Sequence, residues 1–206
     1  METLRAGLIE WAVAERSRAG QSESGDRYLA MATPDSGLVA VVDGLGHGAA
    51  AADAAKIAVG SLERHALQPV IALVRACHRS LVGTRGAVVS VAAFTARDET
   101  MTWLGVGNVE GVLLRTQTTL SPRREVLLVR GGVVGVHLPA LAASIVPVTG
   151  GDTLVFATDG VRSDFVNEAL PLRDPPQVLA DYILARWGTQ TDDALVMVVR
   201  YLGTTT

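Results

Sequence analysis

Three apolar runs in this sequence meet aspartates at one end. Val39-Ala40-Val41-Val42 leads into Asp43-Gly44-Leu45-Gly46-His47-Gly48, and Leu154-Val155-Phe156-Ala157-Thr158 leads into Asp159-Gly160. In the third the order reverses, with Asp192-Asp193 preceding Ala194-Leu195-Val196-Met197-Val198-Val199. A fourth acid, Asp26, follows Ser24-Gly25 and opens a further strand-like stretch. Carboxylates at the tips of buried strands repel one another unless a cation lies between them. Asp26, Asp43, Asp159 and Asp192 or Asp193 are hard oxygen donors, and no Cys/His spacing competes with them. Such a set suits Mg²⁺ or Mn²⁺ and disfavours zinc or copper. Shared carboxylates of this kind can hold two ions about 3.5–4 Å apart.

The glycines belong to the same chemistry. Gly44 has no side chain to shield its carbonyl from a metal or its water. Gly46 and Gly48 let the backbone turn into a helix beginning at Ala49, whose first N–H groups and positive dipole end favour an anion. A single Asp-Gly is ordinarily a turn, and Asp98 and Asp174 read that way. Turn chemistry alone does not call for the long apolar run beside each of the other acids. The same loop also fits a dinucleotide fingerprint, Gly44-x-Gly46-x-x-Ala49 with Glu63 about twenty residues on. Two features oppose that reading. Asp43 would repel a pyrophosphate, and Glu63 falls inside a continuing helix instead of at a strand end.

The elements that position these residues can be read along the chain. Strands are expected over 7–16, 26–33 and 38–42, with a turn at Pro34-Asp35-Ser36-Gly37. An alanine-rich helix follows over 49–67, and Pro69 opens a second helix to about Leu81. Segments 87–95, 101–106, 109–115 and 125–129 read as consecutive strands of an antiparallel meander, separated by turns at Asp98, Gly107-Asn108 and Ser121-Pro122. Another strand is expected over 152–158, helices near 161–167 and 177–187, and a last strand over 194–201. Strands, two helices, many strands, then helix and strand favour an α+β layered fold over a doubly wound parallel sheet.

The 206 residues are 49% apolar but only 4% aromatic, so the core must be built from Ala, Val and Leu. A net charge of −3 points to no nucleic acid and no polybasic membrane patch. One cysteine, Cys77, excludes an internal disulfide framework and fits a reducing, cytoplasmic setting. No apolar run has the length of a membrane span, and no signal-type segment follows Met1. One domain over 1–206 is the expected organisation. Cys77, His65, His78 and His137, with Trp11, Trp103 and Trp187, read as structural residues. Thr204-Thr205-Thr206 reads as a frayed tail.

Ser24-Gly25-Asp26, Asp43-Gly44-Leu45-Gly46-His47-Gly48, Gly105-Val106-Gly107-Asn108, Asp159-Gly160 and Asp192-Asp193-Ala194 occur in the order found in the PPM metal-dependent serine/threonine phosphatases. The chain resembles the short bacterial branch typified by SpoIIE. Arg85-Gly86-Ala87, Gly107-Asn108-Val109 and the length resemble the RsbX group of stressosome feedback phosphatases within that branch.

The resemblance implies an αββα sandwich, two antiparallel sheets flanked by helices, with Mn²⁺ or Mg²⁺, two ions, at one end. By motif matching Asp43 would bridge the ions and Gly44 would offer its carbonyl. Asp159 and Asp192 would bind one ion with Asp26 near the site, and Asp193 ranks below Asp192. The implied reaction is hydrolysis of phosphoserine or phosphothreonine, on phosphorylated STAS-domain proteins of a stressosome-like complex. The alternatives are another anti-sigma-factor antagonist switch and a non-catalytic module that keeps the fold. Many eukaryotic-type members carry a histidine general acid directly after Asp-Gly, where this sequence has Leu45, and their phosphate-binding arginine has no clear counterpart. His47, two residues on, is the candidate proton donor, against a reading in which it only tops the helix.

Overall fold

Strand β4 (Ser36–Gly44) is buried on both faces for most of its length. Val39 and Val41 enter one apolar layer, and Leu38, Ala40 and Val42 enter another. A strand without a solvent face reads as an unbroken apolar run, as 39–42 does. β10 (Thr153–Ala157) and β11 (Ala194–Tyr201) divide in the same way. Leu154, Phe156, Leu195, Met197, Val199 and Tyr201 share the layer of Val39 and Val41. Val155, Ala157, Val196 and Val198 face a third layer.

The computed structural model describes residues 5–21, 23–117 and 122–203 and stacks two antiparallel sheets face to face. One sheet runs in the order β1 (Arg5–Ala6), β2 (Ile9–Arg16), β11, β10, β7 (Glu110–Leu114), β8 (Arg124–Val126). The other runs β3 (Asp26–Ala32), β4, β5 (Ala87–Thr95), β6 (Thr100–Val106), β9 (Ser144–Pro147). Helices α1 (Ala49–Arg64) and α2 (Val70–Leu81) cover the second sheet through Ala54, Ala55, Ala58, Leu62, Leu73, Val74 and Cys77. Helix α3 (Pro176–Trp187) and a 3-10 turn at Ser163–Asn167 cover the first through Leu179, Ala180, Ile183, Trp187 and Phe165. This is the expected αββα sandwich. Among the described residues no helix is long and apolar enough to cross a membrane.

The simple meander is not found. β5 and β6 pair in one sheet, but the chain then crosses at Gly107–Val109 and β7 joins the other sheet beside β10. Gly107 has φ +105, and a Cβ there would stand 2.1 Å from a Val88 methyl carbon, so only glycine makes this crossing. A Gly-Asn pair marks a tight turn but does not say whether the next strand returns to the same sheet. The strand expected over 125–129 stops at Val126. Leu127 turns into the inter-sheet core, and Arg130 reaches back to β6, its N–H donating to the Gly105 carbonyl. β9 was not expected; its four residues end in a proline and give little periodic signal. Helix α1 ends at Arg64, three residues short of Leu67, and the segment near 161–167 is 3-10, not α. The turn expected at Ser121 and the C-terminal threonines lie outside the described residues.

Candidate metal centre

The two-residue period that fills the inter-sheet layer also delivers the acids to its end. Asp43 follows Val39 and Val41 on the same face of β4. Asp26 is its direct partner across β3–β4 and shares a face with Tyr28 and Ala30, which pack on that layer. Thr158 continues the face of Leu154 and Phe156, and Asp193 precedes Leu195 by one period. The apolar layer therefore closes at one end in a polar ring drawn from both sheets. Asp26, Thr158 and Asp193 are buried within it.

Close approaches in the backbone set the loops around that ring. A Cβ on Gly44 would lie 2.0 Å from the Ala51 carbonyl oxygen, so a side chain at 44 would push α1 away. Gly48 caps α1 at φ 75, ψ −162, a region reserved for glycine, and its carbonyl accepts from the N–H groups of Ala51 and Ala52. On the other sheet, a Cβ on Gly160 would lie 1.8 Å from the Asp193 carbonyl oxygen. That contact, with β10 and β11 antiparallel neighbours, brings Asp159 beside Asp192.

The carboxylates surround a cavity of ≈ 360 Å³ lined by Asp26, Asp43, Asp159, Asp192 and Asp193, with Arg18, Leu45, His47 and Asn108. Thr158 Oγ1 donates to Asp26 Oδ2 at 2.7 Å and accepts from the Leu195 N–H at 2.9 Å, tying the acid of one sheet to the other. Asn108 Nδ2 donates to Asp159 Oδ2 at 2.9 Å. Asp193 accepts from the backbone N–H of Arg18 and of Gly25, each at 2.7 Å. Among the described residues the Asp43 carboxylate has no hydrogen-bond donor. Burial, with Asp26 and the other three carboxylates added, pushes Asp43 up to about 8. Burial pushes Asp26 up to about 7 against the lowering bond from Thr158, and Asp193, Asp159 and Asp192 add to the rise. Asp159 is raised as well, by burial and then by Asp192.

The donor set fits a hard divalent cation. The candidate acids offer carboxylate oxygens, and burial with the neighbouring carboxylates holds two of them above the usual range. Among the described residues no three acid, imidazole or thiol groups are drawn together as a ready-made cage. Thr158, Asn108 and backbone N–H groups hold three of the acids, Asp26, Asp159 and Asp193.

Asp26, Asp43, His47, Asp159, Asp192 and Asp193 all line one cavity, whereas Gly44, the last residue of β4, is not among its lining residues. His47 is exposed there. Glu63 lies within α1, as the objection to a dinucleotide site required. Thr158 and Arg18 were not singled out from the sequence. Thr158 immediately precedes the second Asp-Gly, which is a signal; Arg18 carries none. Asn108 stood in a motif without a role.

The sequence matches the family described as Stage II sporulation protein E (SpoIIE) over residues 33–202. Phosphoserine phosphatase RsbX of Bacillus subtilis (strain 168) is 28% identical over 105 residues, 51% of this chain and 53% of that protein. The match thus spans about half the length of this curated relative. A chain solved in work on the bacterial stressosome, as a modular system adapted to control secondary messenger signalling, is 29% identical. It superposes with a TM-score of 0.84 over 93% of this chain and 99% of that one. RsbX crystallised with magnesium shares the fold at a TM-score of 0.84 and 20% identity, over 97% of this chain and 98% of that one. The family match begins just before β4 and runs past the end of β11, so it takes in every acid-bearing strand end except that of Asp26. The chain belongs to the SpoIIE family of PPM-type metal-dependent protein phosphatases.

Proposed function

We propose that this chain is a Mn²⁺- or Mg²⁺-dependent protein serine/threonine phosphatase and that its substrates are phosphorylated STAS-domain proteins of a stressosome-like complex. The observation that carries the activity is the opposition of Asp26 and Asp43 inside the mouth of the sandwich, with Asp159 and Asp192 on the facing sheet. In this reading Asp43, the Gly44 carbonyl, Asp159 and Asp192 would hold the cations, with Asp26 beside them. Divalent cations held there would supply Lewis-acid activation of water and charge neutralisation for phosphomonoester hydrolysis.

The chain's own groups prepare that chemistry. Thr158 fixes the Asp26 carboxylate by donating to one oxygen, and Asn108 does the same for Asp159. Apolar side chains behind Asp43 keep bulk water from its rear, which raises the cost of leaving its charge unpaired. His47 is exposed at the cavity rim and has no hydrogen-bond partner among the described residues, so its ring is free to meet a leaving group.

Support for the substrate class comes from the relatives, a phosphoserine phosphatase and a stressosome chain. A second concavity shares Asn108 and Asp159 with the first and continues along Val161, Arg162, Ser163 and Asp164. It gives a folded partner a surface beyond the phosphoserine itself.

Purified protein should hydrolyse p-nitrophenyl phosphate and a serine-phosphorylated STAS protein with Mn²⁺ and lose both activities in EDTA. The folded phosphoprotein should be the better substrate than a peptide cut from it. Turnover that survives EDTA would reject the metal-dependent reading. Equal efficiency on protein and peptide would reject recognition of a folded surface.

A further inference from the structure

Among the described residues Arg18 is the only lysine or arginine on the cavity wall. It is half-buried and shares that wall with five aspartates, yet none of the ion pairs among the described residues includes it. Its backbone is held firmly. The two oxygens of Asp193 accept from the N–H groups of Arg18 and Gly25, both at 2.7 Å, so one buried side chain fastens both ends of the β2–β3 connection. Gly25 is pinned a second time, its carbonyl accepting from the Gly44 N–H at 3.1 Å. A Cβ on Gly25 would already stand 3.3 Å from the Ala51 side chain, leaving little room for the connection to shift.

A carboxylate suits this task because both its oxygens accept. An asparagine would offer one oxygen and turn its NH₂ toward the other N–H, releasing one end. Asp192 differs from its neighbour. One of its oxygens accepts from the Asp193 N–H, and the side chain is only partly buried at the cavity wall.

We infer that Asp193 is a positioning residue that fastens the β2–β3 connection, and that Arg18, held in place by it, contacts the phosphate group of the substrate. The inference rests on the phosphatase reading above. An arginine fork matches phosphate oxygens in pairs, and an arginine with no acid partner is free to meet them. Asp192 is left as the ligand of the pair. The division of labour explains why two adjacent aspartates occur here: one faces the cavity and the other faces the chain.

The test uses Asp193→Asn, Arg18→Ala, the double variant and Asp192→Asn, all in the full chain. Hydrogen exchange at the Arg18 and Gly25 amides should quicken in Asp193→Asn and stay as in the wild type in Arg18→Ala. Both single variants should raise KM for p-nitrophenyl phosphate and Ki for inorganic phosphate about tenfold, with kcat changed far less. The double variant should match the singles instead of reaching about a hundredfold, because one residue acts through the other. The Mn²⁺-induced rise in melting temperature should persist in Asp193→Asn and shrink in Asp192→Asn. Loss of that rise in Asp193→Asn would make Asp193 a metal ligand and overturn the inference, as would multiplying effects in the double variant. If the wild type hydrolyses no phosphomonoester, the phosphatase reading fails, while exchange at the two amides still decides whether Asp193 is the clamp.

Discussion

Asp26 and Asp43 stand directly opposite each other in the antiparallel register of β3 and β4, both directed into the gap between the two sheets. Like charges opposed across a ladder destabilise it, more so away from water. The fold keeps this pair at the one place where the second sheet brings further acids within reach. The consequence is a trade between stability without metal and activity with it. Asp43→Asn should lower Mn²⁺-dependent turnover by ~10³-fold or more, since removing even one transition-state donor costs about 10²–10³. The same change should raise the melting temperature of the metal-free protein at pH 8, because it removes one of two opposed charges. Calorimetry with chelator present checks this, and a less stable metal-free variant would contradict the repulsion.

The pH dependence of stability follows from the same pair. Their folded-state values of about 7 and about 8 lie above the ordinary 3.8. Between about pH 4 and pH 8 the folded protein therefore holds more protons than the unfolded chain, and stability falls as pH rises. Metal-free protein should melt highest near the acid side of this window and lose stability steadily toward pH 8. Saturating Mn²⁺ displaces those protons, so the stabilisation it gives should grow with pH over the same range. Melting curves at pH 5, 6, 7 and 8, with Mn²⁺ and with EDTA, measure both slopes. A metal-free protein whose stability rises toward pH 8 would contradict the raised values.

At the opposite end of β10 a second buried charge cluster does the reverse and holds the sheets together. Asp152 accepts from the Arg115 guanidinium at 2.9 Å and from the N–H groups of Thr116 and Thr149 at 3.0 and 3.1 Å. Arg115 also pairs with Glu125 on β8 and donates to the Pro147 carbonyl on β9, so one arginine links an edge strand of each sheet. Asp152→Ala leaves Arg115 with Glu125 alone and strips the acceptor from the Thr116 and Thr149 N–H groups, and should cost about 3–5 kcal/mol. For a chain of this size that lowers the melting temperature by about 2–4 °C per kcal/mol. The Mn²⁺-induced shift should be unchanged, because Asp152 precedes β10 and the metal-site acids follow its other end. A variant that loses the metal shift while keeping its melting temperature would contradict this division.

Much of this site was legible because period-2 burial has to end somewhere. Once 39–42, 154–158 and 194–199 read as buried strands, the acids at their tips had to share an end of the sandwich or remain unpaired. The α+β class followed from the order of the elements and the candidate acids from the buried runs beside them, while the sandwich itself was implied by the family resemblance. The crossing at Gly107 was not legible, because turn chemistry fixes a reversal without choosing a sheet. Thr158 and Asp26, 132 residues apart in sequence, meet only when the sheets face each other. Arg18 sits in a polar connection without periodicity, and its backbone N–H is held by a side chain 175 residues away. Long-range hydrogen bonds of this kind leave no local trace in composition or spacing.

The proton that the leaving group needs is the last open step, and His47 is placed to be tested for it. Leu45 lies on the cavity wall and can donate nothing, whereas His47, two residues on in the same glycine loop, is exposed at that wall. Gly46 at φ 93 and Gly48 at φ 75 give this loop a shape that turns residue 47 outward, away from the core. A serine alkoxide leaves poorly without a proton, and a nitrophenolate leaves readily. If His47 donates, His47→Ala should slow hydrolysis of a serine-phosphorylated protein about 10²-fold, the usual scale for general acid catalysis, and change p-nitrophenyl phosphate hydrolysis only slightly. His47→Gln, which keeps a polar group but cannot deliver a proton near neutral pH, should behave like the alanine variant. The competing role is purely local, with His47 filling space above the first turn of α1. In that case both substrates should slow together or not at all, and the glutamine variant should recover what alanine loses.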